Sequence, residues 1–260
     1  MSQYNSTQNP VFDEVGSALV RTCAGPDTEI LVGVLVSHLI DPTHTIAQIQ
    51  STIEAFFAQI PATSTQELLD WFRENGFAQD GPATVTPQHS SLKYAVERKT
   101  GIPIARGLLL MGAARAIGLT SYGVNFPGHF LVSIDGQVVD PLGCAVIEAE
   151  RFREKFDVSK PTSPKAVALR MLNNLKALAL QDNDLARALD IVDVQAGLAD
   201  DRETRSALLF ERGEFWSRLG AMAAAKAAFA ECAEVCPHEE LAEKARGQAA
   251  RIDIGGQTFH

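Results

Sequence analysis

The chain has 260 residues, 46% of them hydrophobic and 21% charged, and 23 Lys and Arg against 32 Asp and Glu leave a formal charge of −9. That length and composition suit one large or two small globular domains, and exclude intrinsic disorder, a collagen repeat and a disulfide-dense secreted scaffold. A pI near 5.2 without any lysine–arginine cluster excludes general nucleic-acid binding, which needs a basic face against phosphates.

Residues 1–10 are polar, lack the basic-then-apolar plan of a signal peptide, and read as a disordered leader. The most apolar early stretch, residues 30–40, is too short for a membrane span and contains His38. A reducing cytoplasm is therefore expected, with Cys23, Cys144, Cys232 and Cys236 as free thiols. Cys232 and Cys236 stand four apart without a second pair of ligands, so they read as small buried hydrophobes rather than half a metal site.

From residue 12 to 77 the apolar spacing is helical, with runs at 15–20, 30–39, 46–57 and 68–72. Breaks fall at Gly25-Pro26, Asp41-Pro42, Pro61 and Gly76, the last a helix C-cap. After a polar loop, residues 92–98 look helical. Residues 104–117 form a strong apolar helix with Pro103 in its first turn and Gly118 closing it. Two β-type runs follow, at 121–124 and 129–134. Asp135-Gly136 then signals a two-residue hairpin turn into a strand at 137–140.

Beyond Pro161 and Pro164 the pattern is helical throughout, at 165–181, 185–198, 202–219, 222–235 and 239–252. With Pro237 as the last position of a 34-residue unit, Leu209, Gly213, Trp216, Ala225 and Phe229 fall where a tetratricopeptide repeat alternates large, small and aromatic residues. The preceding unit, with Asn174, Ala186 and Leu189, matches loosely, so a generic helical bundle stays open. The expected organisation is a leader (1–10), an α+β domain (11–160, helical over 11–77 with its core at 88–147) and an all-α stack (161–254).

The densest polar chemistry lies at Asn125, Gly128, His129 and Asp140. A turn centred on Asp135-Gly136 makes opposed positions sum to 271, which puts His129, Leu131 and Asp140 on one sheet face. Phe130, Val132, Ile134 and Val139 take the other, core face. His129 and Asp140 are then diagonal neighbours at roughly 7–8 Å, which an imidazole and a carboxylate bridge. Such a pair is the base and orienter of a nucleophilic triad, or else a polar pair closing a strand end. The nucleophile is missing. A thiolate at the start of the apolar helix would be stabilised by the dipole. That start is Gly101-Ile102-Pro103-Ile104-Ala105-Arg106-Gly107, and Thr100 just before it reads as a helix-entry residue. Cys144, four residues beyond Asp140, is the only thiol local to the pair in sequence, and a buried or loop position is its simpler reading.

These residues carry a resemblance. Gly101-Ile102-Pro103, Leu108-Leu109-Leu110, Arg115-Ala116-Ile117-Gly118-Leu119, Pro127-Gly128-His129-Phe130-Leu131-Val132 and Asp140-Pro141 resemble the transglutaminase-like (papain-like) core. More narrowly they resemble the bacterial SirB-type family, which joins that core to tetratricopeptide-like helices. Arg170-Met171-Leu172-Asn173-Asn174-Leu175-Lys176 resembles its passage into the repeats. The resemblance implies an α+β core with Cys, His and Asp in that chain order. His129 and Asp140 match, while the Cys position falls at or beside Pro103, a departure the SirB-type family shares. Where that family often has a Ser two residues after the proline, this chain has Ala105.

The leading functional expectation is therefore a non-catalytic or repurposed transglutaminase-like protein that acts by binding, in a regulatory capacity. His129 and Asp140 would be its vestigial pair, Asn125, Gly128, Ala105 and Cys144 would line the pocket, and the helical repeats would be the interaction surface for protein partners. The alternative is a hydrolase or acyltransferase using His129 and Asp140 with water or an unidentified nucleophile. A metal on His129 and Asp140 needs a further ligand, and only Asn125 and His89 are near in sequence, so no metal or cofactor is expected, nor a nucleic-acid or membrane partner. His38 and His44 read as core or surface residues, and Trp71 and Trp216 as packing.

Overall fold

A computed structural model describes residues 9–126, 129–148 and 160–252. Residues 1–8 of the expected leader, and Gly128, lie outside them. The chain packs as two compact units, one Arg21–Met171 and the other Met1–Val20 with Leu172–His260. This differs from a division near residues 161–164. Pro164 occupies the first position of an uninterrupted helix, where a missing N–H costs nothing, so it opens that helix instead of separating domains.

The Arg21–Met171 unit begins in the last turn of α1 (Pro10–Cys23) and continues with α2 (Glu29–Ile40), α3 (Ile46–Phe57) and α4 (Thr65–Glu74). A short 3-10 helix, Pro87–Ser90, precedes α5 (Leu92–Arg98) and α6 (Pro103–Ala116). Caps define these ends. Thr45 and Gln48 form a capping box at α3, Ser64 accepts from the amide of Glu67 at α4, and Gly76 and Gly118 take the left-handed conformation after α4 and α6. Helix α6 is buried on all sides from Ile104 to Ala114, as its continuous apolar run requires. Its neighbours approach closely: a Cβ on Gly112 would lie 2.4 Å from the Phe57 ring, and one on Gly33 of α2 2.5 Å from Leu92. At the far end of α6, Arg115 pairs with the buried Glu29 at 2.9 Å.

One antiparallel sheet accompanies these helices, in the order β1 (Ser121–Phe126), β2 (His129–Ile134), β3 (Gln137–Asp140), β4 (Ala145–Val146). Val132 opposes Val139 and Ile134 opposes Gln137, the register expected from the turn, and Asp135 and Gly136 both have positive φ, at 47° and 80°. Gly107 of α6 and Gly123 of β1 make room for Phe130: a Cβ on either would come within 2.6 Å of its ring. The Phe130–Val132 face therefore packs on α6. The opposite face carries a smaller cluster of Val124, Leu131 and Val138, flanked by Tyr122, Phe126 and Ile147.

The second unit contains most of α1, the rest of α7 (Pro164–Gln181), α8 (Leu185–Leu198), α9 (Arg202–Arg218), α10 (Met222–Val235) and α11 (Glu239–Arg251). Its core gathers Leu189, Leu209, Phe210, Trp216, Ala225 and Phe229. Gly213 lets α9 approach α10, since a Cβ there would lie 2.6 Å from the Phe229 ring. The assignment of α1 to this unit differs from a first domain holding all of residues 11–77. Its Gly16 lies against Val194 of α8, at 3.2 Å for a hypothetical Cβ. Among the described residues, no helix is long and apolar enough to cross a membrane.

Candidate functional site

Strand alternation settles where His129 lies. Phe130 and Val132 fill the face against α6, so His129, Leu131 and, by continuation of the register, Asp140 belong to the opposite face. His129 is exposed at the start of β2 and its ring lies 6.2 Å from that of Phe126, its partner across the hairpin. No hydrogen bond or ion pair among the described residues joins it to Asp140.

Asp140 is occupied elsewhere. Its Oδ1 accepts from the amide of Leu142 at 3.0 Å and its Oδ2 from that of Gly143 at 3.1 Å, an Asx-type brace for the connection between β3 and β4. The same connection is held from the other side by Arg106 of α6. One guanidinium nitrogen donates to the Leu142 carbonyl and another to that of Gln79, both at 2.8 Å, while Nε has no partner among the described residues. Only 2% of Arg106 is exposed, and burial pulls its pKa below the ordinary arginine value, against the opposing influence of Cys144 and Asp140. A carboxylate for the amides and a guanidinium for a carbonyl together fix this turn.

Cys144 ends the turn with φ of 47°, fully buried, its thiol facing the Pro141 carbonyl at 3.7 Å. Burial pushes the thiol up to about 11, with Arg106 pulling it down and Asp140 pushing it further up. At neutral pH it is a thiol and not a nucleophilic thiolate. The first turn of α6 presents half-buried Pro103 and buried Ile104 and Ala105, and no side chain caps it. The structure therefore brings half-buried Asp140 and buried Cys144 close to Arg106, while Ala105 is buried in the first turn of α6 and His129 is exposed at the start of β2.

Asn125 meets Arg170, which the sequence marks as part of the passage into the repeats and not as a site residue. Its Oδ1 accepts from Nη1 of Arg170, which also donates to the Phe126 carbonyl at 3.1 Å and lies 5.9 Å above the Phe130 ring. Burial lowers the Arg170 pKa. The available signal was a lone arginine next to the buried Val167, Ala168 and Met171. Arg106 gave a similar one, a cation inside an apolar helix.

The other histidines have local partners. His89 is nearly buried; its Nδ1 accepts from the Thr86 amide at 3.0 Å and its ring meets Tyr94 edge-on. His38 Nδ1 faces the His44 carbonyl at 2.7 Å, and His44 Nδ1 faces Asp41 Oδ2 at 2.9 Å. Thr43 and His44 hold the Asp41 carboxyl below its usual range. Cys232 and Cys236 each direct sulfur to a backbone carbonyl, of Ser206 and His238. Among the described residues, no three His, Cys, Asp or Glu side chains are grouped to hold a metal. Trp216 is core; Trp71 is half-buried among Phe56, Phe72 and Phe77.

Residues 41–179, more than half of the chain, match the model of the transglutaminase-like superfamily. The chain belongs to that superfamily. Similar curated proteins are a UPF0162 protein of Xylella fastidiosa strain 9a5c, 26% identical over 208 residues and 72% of each chain. A UPF0162 protein of Pseudomonas aeruginosa is 24% identical over 190 residues, 64% of this chain and 70% of its own. The matched span runs from the Asp41 turn through the sheet and into α7, so it includes His129, Asp140 and the helix start at Pro103.

Proposed function

We propose that the chain is a SirB-type, non-catalytic member of the superfamily that works by binding protein partners in a regulatory role in the bacterial cytoplasm. Its C-terminal helices serve as a tetratricopeptide-like interaction surface. One observation carries the reading: no hydroxyl or thiol stands at the start of α6, and His129 lies on the sheet face turned away from that helix. Acyl transfer by this fold needs a nucleophile on the helix within reach of the imidazole. Two features add support: both Asp140 oxygens are engaged by turn amides, and the one nearby thiol is buried and protonated. The repeat reading is supported by the burial of Leu209, Gly213, Trp216, Ala225 and Phe229, the positions where that motif needs them.

A hydrolase or acyltransferase using His129, Asp140 and water is the second reading. The uncapped first turn of α6 favours it, because its free amides suit an oxyanion. Amine incorporation into glutamine peptides and hydrolysis of peptide and ester substrates should be compared between the natural protein and His129→Ala. In parallel, a photo-crosslinking amino acid at exposed Glu214 of α9 reports partners in cells. The proposal expects equal background turnover in both proteins and a discrete protein adduct that persists in His129→Ala. Turnover that vanishes with His129 would overturn it.

A further inference from the structure

The most unusual feature of the second unit is its N-terminal helix. Its residues up to Val20 group with the helices that follow Leu172, although a whole unit separates them in the chain. A cleft of about 430 Å³ lies between α1, α8 and α9. Phe12, Asp13, Gly16 and Val20 of α1 face it at helical spacing, as do Asp190, Asp193 and Val194 of α8 and Arg205 and Arg212 of α9. Gly16 sits directly on Val194, so close approach is built in, while Phe12, Val15 and Leu19 are buried. This is the arrangement of an amphipathic helix in a receiving groove, with the chain's own helix as occupant.

The charges do not match that occupant. Arg212 lies 2.9 Å from Asp193, and Arg205 lies 3.5 Å from Glu231. Asp13 and Asp190 have no ion pair among the described residues, and α1 therefore brings a carboxylate toward two others. The groups acting on Asp190 are Asp193 of α8, Asp13 of α1, Asp184 at the start of α8, and Arg187 of α8, the only cation of the four. Burial and then these carboxylates push Asp190 up to about 6. A tethered helix enjoys an effective concentration of order millimolar, so a competitor from another protein succeeds only where the resident is poorly matched.

We propose that the α8–α9 groove is an exchange site for an amphipathic helix of a protein partner, one that carries Lys or Arg where α1 has Asp13 and a small residue where α1 has Gly16, and that α1 is the resident it displaces. The inference rests on the binding role proposed above and names the partner's chemistry. A basic residue at that place turns two repulsive neighbours into attractive ones, and the small residue preserves the contact with Val194.

The test uses the full-length protein and fluorescent peptides spanning residues 9–22, one natural and one with Asp13→Lys, read by anisotropy at neutral pH and low salt. The basic peptide should bind about tenfold more tightly, since exposed charge pairs contribute up to several-fold each. On protein carrying Asp190→Asn and Asp193→Asn the two peptides should bind within about twofold of each other. Protein with Asp13→Lys, whose own helix is now matched, should bind the basic peptide about tenfold less well. Equal binding of the two peptides, no measurable binding of the basic one, or indifference to the resident's substitution would each overturn the proposal. These outcomes do not depend on whether His129 supports turnover, so this inference and the non-catalytic reading fail separately.

Discussion

Replacing Gly107 by Ala tests the geometry that separates His129 from α6. In an unhindered helix interior that substitution stabilises by up to about 1 kcal/mol. Here the new methyl would lie 2.6 and 2.9 Å from two carbons of the Phe130 ring and 3.3 Å from Val132. The ring cannot slide outward, because its tip lies against Gly123, where a Cβ would be 2.5 Å from Cζ. Overpacking of this kind costs about 1–3 kcal/mol, so the expected net effect is a destabilisation of about 1–2 kcal/mol, a few degrees in Tm. Phe130→Leu on its own should also destabilise, by creating space. The double variant should lose less than the sum, with a coupling of about 1 kcal/mol. Gly247→Ala in α11 is the control, since nothing lies within 4 Å of that position; it should gain stability. Urea denaturation measures all four proteins. If Gly107→Ala stabilises, or adds without coupling to Phe130→Leu, the Phe130 face does not pack on α6 and the placement of His129 fails with it.

Two further predictions concern carboxylates. Asp140→Asn keeps one acceptor oxygen and loses the other together with the charge, so it should destabilise by about 1 kcal/mol and speed hydrogen exchange at the Leu142 and Gly143 amides. An unchanged exchange rate at both amides would contradict the turn-bracing role. Asp190→Asn should stabilise at pH 7.5 and have almost no effect at pH 4. The folded carboxyl titrates near 6, above its unfolded value of about 3.9, so the charged form is penalised in the folded protein above pH 6. That penalty disappears as both states protonate. Because the group is partly exposed, screening reduces the effect to about 1 kcal/mol. Trp216 fluorescence during urea unfolding reads it, and a gain that grows toward acid would refute the assignment.

Much of this architecture was legible from local rules. Asp135-Gly136 set the hairpin register, so the shared face of His129 and Asp140 and the opposite core face of Phe130, Val132 and Ile134 followed from alternation alone. Gly76, Gly118 and Pro103 marked helix ends because backbone conformation there is set by single residues. Contacts between residues far apart in the chain were not legible. Asp140-Pro141-Leu142-Gly143 is by contrast a local turn signature, whose Asp can accept from its own turn amides instead of meeting His129. Nothing near Arg106 or Arg170 announces the carbonyls at Gln79, Leu142 and Phe126. The placement of α1 with the C-terminal helices is the largest such case. Its stripe of Phe12, Val15 and Leu19 states that a partner exists, but only the fold identifies α8, through Gly16 and Val194.

A non-catalytic transglutaminase-like chain, as proposed above, forms no covalent acyl intermediate through His129. Pre-steady-state release of p-nitrophenol from p-nitrophenyl acetate, with intact-protein mass spectrometry at the same time points, tests it directly. No stoichiometric burst is expected, and any slow acetylation should be equal in the natural protein and in His129→Ala. A burst of one acyl group per chain that disappears with His129 would contradict it.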